Sequence, residues 1–192
     1  MTAIAKHPTL DLFARLLFPV GLLLTHLLRL GGSDGVASLV MLIAASGVTL
    51  LGLSLALRLY PRAPQWATAA GALLLVTPLI GAGSWEYLSL VDARLGSAAA
   101  TTFAALPLYT IVAPLFGVAT VAALAALSVG LQRASAQSTG LTALQLLALL
   151  LFFVSWFVQP VLLGLLAALL LTVGYGMAGR SGVAARAEPI AA

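Results

Sequence analysis

"LTALQLLALLLFFVSWFVQPVLLGLLAALLLTVGYGMA", residues 141–178, runs for 38 positions without one charged side chain. As a single straight helix it would extend about 57 Å, whereas a bilayer's hydrocarbon core is about 30 Å thick and is crossed by about 20 residues. Two spans joined by a tight turn account for the length. Gln159-Pro160 is the one polar, helix-breaking dipeptide near the midpoint and marks that turn. The stretch reads as a C-terminal transmembrane hairpin.

The rest of the chain has the same character. Hydrophobic residues make up 62% of the 192 and charged residues 7%, against roughly a quarter charged in a soluble domain. Such a chain cannot cover itself with polar surface, so its solvent is lipid. Nine basic and five acidic residues give a net charge of +4, too thinly spread to hold nucleic acid. The absence of cysteine excludes disulfides, thiolate metal sites and thiol nucleophiles. Lys6 ahead of an apolar run resembles the start of a secretory signal. Arg15 interrupts the run and no small-x-small cleavage site follows, so this is read as a retained first span.

Upstream of the hairpin, apolar periods predict spans over about 12–30, 36–57, 66–83 and 107–131. Between the third and fourth, about 84–106 holds Glu86, Asp92 and Arg94 and reads as an outer interfacial segment with Trp85 and Tyr87 at headgroup level. Pro107 suits the first turn of the fourth span, and Pro114 predicts a kink within it. The fold class is therefore all-α, a polytopic membrane protein of about six transmembrane helices. A four-span core occupies 1–135, the hairpin 141–178 and a short cytoplasmic tail 179–192.

Charge asymmetry supports six spans over five. With the N-terminus cytoplasmic, Lys6, Arg15, Arg58, Arg62, Arg133, Arg180 and Arg186 fall inside, and Arg29 and Arg94 outside. Seven against two obeys the positive-inside rule. A five-span chain would give five against four.

Charged side chains within a bilayer are costly and are usually functional, yet none falls at a span centre. Asp11 and Arg15, four residues apart on one helix face, pair most simply with each other. His26 either titrates as a proton shuttle or bonds a neighbouring carbonyl near its helix end. Asp34 is its nearest acidic candidate partner and also a candidate partner for Arg29 across the turn. The two histidines and scattered carboxylates lack metal-ligand spacing, and no serine or lysine has a base beside it. No cofactor is predicted, and the chain reads as a non-enzyme. An independent transporter would need broken helices with polar groups converging at the midplane, or an inverted repeat; neither is visible. Small residues recur at helix-packing spacing instead: Gly52 and Ala56, Ala119 and Ala123, Ala122, Ala126 and Gly130, and Gly164 and Ala168. They suit a protein packed beside other membrane subunits.

The stretches "RLLFPVGLLLTHLLRLGG" and "GVASLVMLIAASGVTLLGLSLALR", then "GALLLVTPLIG" and "TIVAPLFGVATVAALAALSVGLQ", resemble the MnhB/MrpB family, the B subunits of multisubunit cation/proton antiporters. The resemblance covers about residues 10–135 and rests on Arg15, Pro19, Gly31, Gly32, Gly35, Phe116, Gly117 and Val118. The turn "GGSDGVAS" keeps the family's glycines without its proline and phenylalanine. Leu115 and Phe116 stand where an acidic residue commonly precedes the Gly-Val of the fourth span. The resemblance implies an accessory subunit in a bacterial inner membrane. It would brace larger ion-conducting subunits, with other membrane subunits and lipid as partners. Taken together, the charged-residue reading and this resemblance make His26, Arg29, Gly31, Gly32, Asp34 and Gly117 the candidates for an ion path or a subunit contact.

Overall fold

The structure is a computed structural model that describes residues 8–158 and 161–178. Lys6, Arg180 and Arg186, the Gln159-Pro160 turn and the 179–192 tail lie outside the described residues. Among the described residues seven α-helices follow one another: α1 Pro8–Leu30, α2 Asp34–Leu59, α3 Pro64–Leu95, α4 Ser97–Ala104, α5 Ala113–Arg133, α6 Thr139–Val158 and α7 Val161–Met177. A π-helical turn, Leu108–Val112, leads into α5. No strand occurs among the described residues. Among the described residues five helical spans are long and apolar enough to cross a membrane, and α7 is a shorter apolar helix of 17 residues. The chain is an all-α polytopic membrane protein.

All the helices but the eight-residue α4 pack in chain order as a ring: α1 on α2, α2 on α3, α3 on α5, α5 on α6 and α6 on α7. Contact between α1 and α7 closes the ring, and α2 touches α5 across it. In lipid, apolar burial does not drive helices together, so close packing must do so. Residues Gly47 and Gly81 show how: a Cβ on Gly47 would lie 2.7 Å from the Phe18 backbone nitrogen, and one on Gly81 2.7 Å from that of Gly117. The small residues singled out from spacing mostly serve such internal seams. Gly52 receives Leu74, Ala56 faces Gly71, Gly130 receives Leu59 and Gly164 receives His26. Ala123 and Ala168 are buried in the core, while Ala122 faces outward.

The α6–α7 hairpin is real. Gln145 Nε2 donates to the Gly174 carbonyl at 3.1 Å, and the two residues stand symmetrically about positions 159–160. A single tilted rod would hold them far apart.

Two boundaries differ from the sequence reading. The third helix does not end at Gly83. It continues to Leu95 as one 32-residue rod, about 48 Å long, because nothing between 84 and 95 breaks a helix. It stops at Gly96, whose φ of +85° favours glycine. The outer segment 84–106 is thus an extension of α3 followed by α4, a helix with no buried residue. Pro114, expected to kink a helix, stands second in α5. The strain is taken up just before it, where Ala113 N–H donates to the Leu108 carbonyl in π register. At Pro78, inside α3, the carbonyl four residues back is that of Leu74. Thr49 of α2 donates to it at 2.9 Å, so the acceptor freed by proline is not left bare in lipid.

Candidate functional site

Polar groups concentrate in two places, named here by the residues that mark them. At the Asp11 end, the first turn of α1, the last turn of α2 and the last turn of α7 converge. Arg15 Nη2 lies 3.0 Å from Asp11 Oδ2, the i,i+4 pair anticipated from spacing. Asp11 also accepts from Arg58 of α2 through Oδ2 and from Ser54 through Oδ1 at 2.6 Å. These two guanidiniums then reach the end of α7. Arg15 Nη1 donates to the carbonyls of Tyr175 and Gly176 at 3.0 and 3.1 Å, and Arg58 Nη1 donates to that of Ala178 at 2.7 Å.

Helix C-termini leave four carbonyls without intrahelical partners and carry a partial negative charge. In α7 three of those carbonyls are capped by side chains of other helices, Gln145 of α6 on Gly174 and Arg15 of α1 on Tyr175 and Gly176, and Arg58 of α2 holds the Ala178 carbonyl just beyond. The carbonyls need donors, the arginines need a counter-charge, and Asp11 supplies it. This joins four helices at one end of the ring.

The belt extends into the bundle. Gln137, carried on the α5–α6 connection, is buried and donates through Nε2 to Thr142 Oγ1 at 2.8 Å and Gln145 Oε1 at 2.7 Å. A third acceptor, the Ser128 carbonyl, lies 3.4 Å from the same nitrogen. Neutral and charged groups therefore form one hydrogen-bonded series from the α5–α6 connection through α6, α7, α1 and α2.

At the Arg29 end the central contact is a fork. Arg29 Nη2 donates to both oxygens of Glu86 at 2.8 and 2.7 Å, and the Glu86 side chain is 10% exposed. Arg29 closes α1, and Glu86 sits on the extension of α3. The pair ties two helices that are not ring neighbours.

Between these ends the ring interior carries no charged side chain among the described residues and is filled mainly by apolar ones. Phe18 and Phe152 meet edge to face with centroids 5.6 Å apart, and Phe152 lies 5.4 Å from Trp156. The cavity they border measures about 10 Å³, room for one water at most. Beside it the Thr120 hydroxyl meets Thr77 Oγ1 at 2.9 Å and the Phe116 carbonyl at 2.8 Å.

No family model, curated protein or solved structure matches this chain.

The residues singled out from sequence separate into different roles. Arg29 forms the fork with Glu86 rather than a pair with Asp34, which is exposed and makes no ion pair among the described residues. His26 does not meet Asp34 either. Its ring lies against Gly164 of α7, where a Cβ would stand 2.3 Å from Nε2, and its Nδ1 is buried without a partner. Gly32 has φ +73°, and the bonds Gly32 N to Arg29 O and Ser33 N to Leu28 O make the turn a Schellman cap. Gly31 has no such conformation, and a Cβ there would meet the Leu28 carbonyl at an ordinary 3.5 Å. Gly117 is a packing hub, pressed between Gly81 and the Trp156 ring. Among the described residues no three histidine or acidic side chains gather as a metal centre would require.

Sequence reasoning missed Ser54, Arg58, Glu86, Gln137 and Gln145 as partners. One signal was present for Gln145: it is a lone amide in an apolar helix, and such a group must find bonds within the protein. The others are joined by tertiary contacts that no local spacing announces.

Proposed function

We propose that this chain is an accessory, non-catalytic membrane subunit of a multisubunit cation/proton antiporter-like assembly in a bacterial inner membrane. Its role is to brace larger ion-conducting subunits and to seal their boundary with lipid. The observation that carries this reading is the closed interior. Phe18, Phe152 and Trp156 fill the ring, while the buried ion pairs lie at its two ends, Asp11 with Arg15 and Arg58 at one and Arg29 with Glu86 at the other. Ion translocation through a protein uses a series of ionisable or hydrated groups across the midplane, and here the midplane is packed with apolar side chains. The assignment to antiporters, as distinct from other energy-converting complexes, rests on the resemblance of residues 10–135 to the B-subunit family.

Affinity purification of the tagged chain from its own membrane, followed by mass spectrometry of what accompanies it, tests the reading. Stoichiometric recovery of large membrane subunits with intramembrane Lys and Glu residues is the expected result. Recovery of a respiratory or photosynthetic complex would keep the bracing role and overturn the antiporter assignment. Recovery of the chain alone, from membranes solubilised gently enough to keep other complexes intact, would overturn both.

A further inference from the structure

The bundle carries a recess of about 350 Å³ on its side, within the range of roughly 300–1,000 Å³ typical of sites for small organic ligands. Leu79, Gly83 and Tyr87 of α3 form one wall, and Phe103 of α4 with Leu106 and Tyr109 forms the other. Eight helical rises separate Leu79 from Tyr87, so the first wall is about 12 Å long. About 20 residues cross the hydrocarbon. Counted from Trp66, the crossing made by α3 ends beside Trp85 and Tyr87. The recess therefore spans the last part of the hydrocarbon and the start of the headgroup layer, and it ends next to Glu86, the partner of Arg29.

Its lining is uneven. Leu79, Phe103 and Leu106 are exposed, which for a chain in lipid means that the recess opens sideways on acyl chains. Tyr109 is the exception, with only 3% of its surface exposed. Its backbone N–H is paired with the Leu106 carbonyl at 2.9 Å, but its hydroxyl makes no hydrogen bond with a described residue. Nor is that hydroxyl sealed in, as the unpaired Tyr175 hydroxyl is, so it meets the recess that it lines. A phenol kept from water and offered no acceptor in lipid costs free energy until a ligand supplies one. The π register of Leu108–Val112 sets Tyr109 in this wall, and such turns are frequent at functional sites.

We propose that the recess holds one acyl chain of a membrane phospholipid from the leaflet at the Arg29 end, with an ester carbonyl of that lipid accepting from Tyr109 Oη. The apolar walls take the methylenes, and the open side admits the chain from the bilayer. The phenol stands near the depth at which hydrocarbon gives way to headgroups, where tyrosine is at home. A partner's helix does not fit: with side chains it measures about 10–12 Å across, and a 12 Å length would fill roughly 900 Å³. A quinone head would also accept from the phenol, but a rigid ring gains most from walls over both faces and this recess is open along one side.

Photolabelling tests the site on the full-length chain in vesicles of phosphatidylethanolamine and phosphatidylglycerol, doped with a phospholipid that carries a diazirine on its acyl chain. Peptide mapping should find label on 79–87 and 103–109 several-fold above Leu169 of α7, a lipid-facing residue 50% exposed against 49% for Leu79. Tyr109→Phe should cut that excess several-fold and leave Leu169 unchanged, whereas Tyr60→Phe, at the other end of the bundle, should alter neither. Leu106→Trp, which fills the recess from an exposed position, should abolish the excess. Labelling no stronger than at Leu169, or an excess that survives both Y109F and L106W, would overturn the proposal. An excess removed by an equimolar short-chain isoprenoid quinone would assign the recess to a quinone and overturn the phospholipid.

Discussion

The Arg58 guanidinium donates to the Ala178 carbonyl at 2.7 Å, across 120 residues of sequence. The same side chain binds Asp11 in the first turn of α1. The start of α1, the end of α2 and the end of α7 therefore share one end of the bundle, which an even number of crossings requires and five would forbid. Because the chain lacks cysteine, single cysteines report this directly. Cysteines at Ala63 and Ser138 should react with an impermeant maleimide from one face of the membrane, and those at Ser33 and Ser97 from the other. Labelling of Ala63 and Ser138 from opposite faces would refute the ring.

Asp11 holds the only negative charge of the α7 clamp among the described residues, against two guanidiniums. The Asp11→Asn variant leaves Arg15 and Arg58 side by side without a counter-charge. Breaking a buried pair in this way costs about 3 kcal/mol. Thermal unfolding should show that loss. A short thiol-reactive linker between Leu16→Cys and Gly176→Cys, a contact of the α1–α7 seam, should cross-link several-fold less in D11N. A control pair across the α2–α3 seam, Ala56→Cys with Gly71→Cys, should be unchanged.

At the opposite end, Arg29→Ala strands the Glu86 carboxylate, whose side chain is 10% exposed. The expected cost is about 2–3 kcal/mol, toward the lower side of the buried range because Arg29 remains 30% exposed. Replacing both partners, as Arg29→Met with Glu86→Leu, should recover much of that loss, since no unpaired charge then remains. A double variant as unstable as R29A would show that the fork has a role beyond neutralising Glu86.

The two glycines of the first turn should behave differently. Gly32→Ala should cost about 1 kcal/mol, because φ of +73° is a left-handed conformation that a Cβ opposes. Gly31→Ala should be close to neutral. The mirror case is Ser135, a non-glycine residue at φ +53° in the same kind of cap, where Ala136 N donates to Leu131 O and Ser135 N to Gln132 O. Ser135→Gly should stabilise the chain by about 0.5–1 kcal/mol. Denaturation midpoints of the three variants would rank them.

The contact of His26 with Gly164 predicts a rescue. Gly164→Ala places a methyl group 2.3 Å from the imidazole and should lower Tm through overpacking, of order 1–3 kcal/mol. His26→Ala in the same chain should relieve it. Without relief, the ring is not what the methyl group meets.

Much of this architecture was legible in the residues, for reasons that differ from place to place. The uncharged 141–178 run predicts a hairpin because length alone rules out one crossing. Asp11 and Arg15 predict their own pair because i,i+4 neighbours share a helix face. Arg58 could not be added to that pair from sequence, since its approach depends on how α1 and α2 cross. Arg29 had a plausible partner five residues away in Asp34, yet it meets Glu86, 57 positions distant. That pairing becomes visible only once α3 is known to run unbroken past Gly83. The buried amides of Gln137 and Gln145 were hidden for a similar reason: polarity in an apolar chain is easy to see, but its partner is not.

As proposed, this chain braces an assembly without conducting ions itself. The most direct test is ion flux across proteoliposomes that hold the purified full-length chain alone, with an imposed proton gradient and a pH-sensitive dye trapped inside. The account predicts no sodium- or potassium-dependent dissipation above protein-free vesicles. Saturable, cation-dependent proton movement that scales with the amount of chain would contradict it.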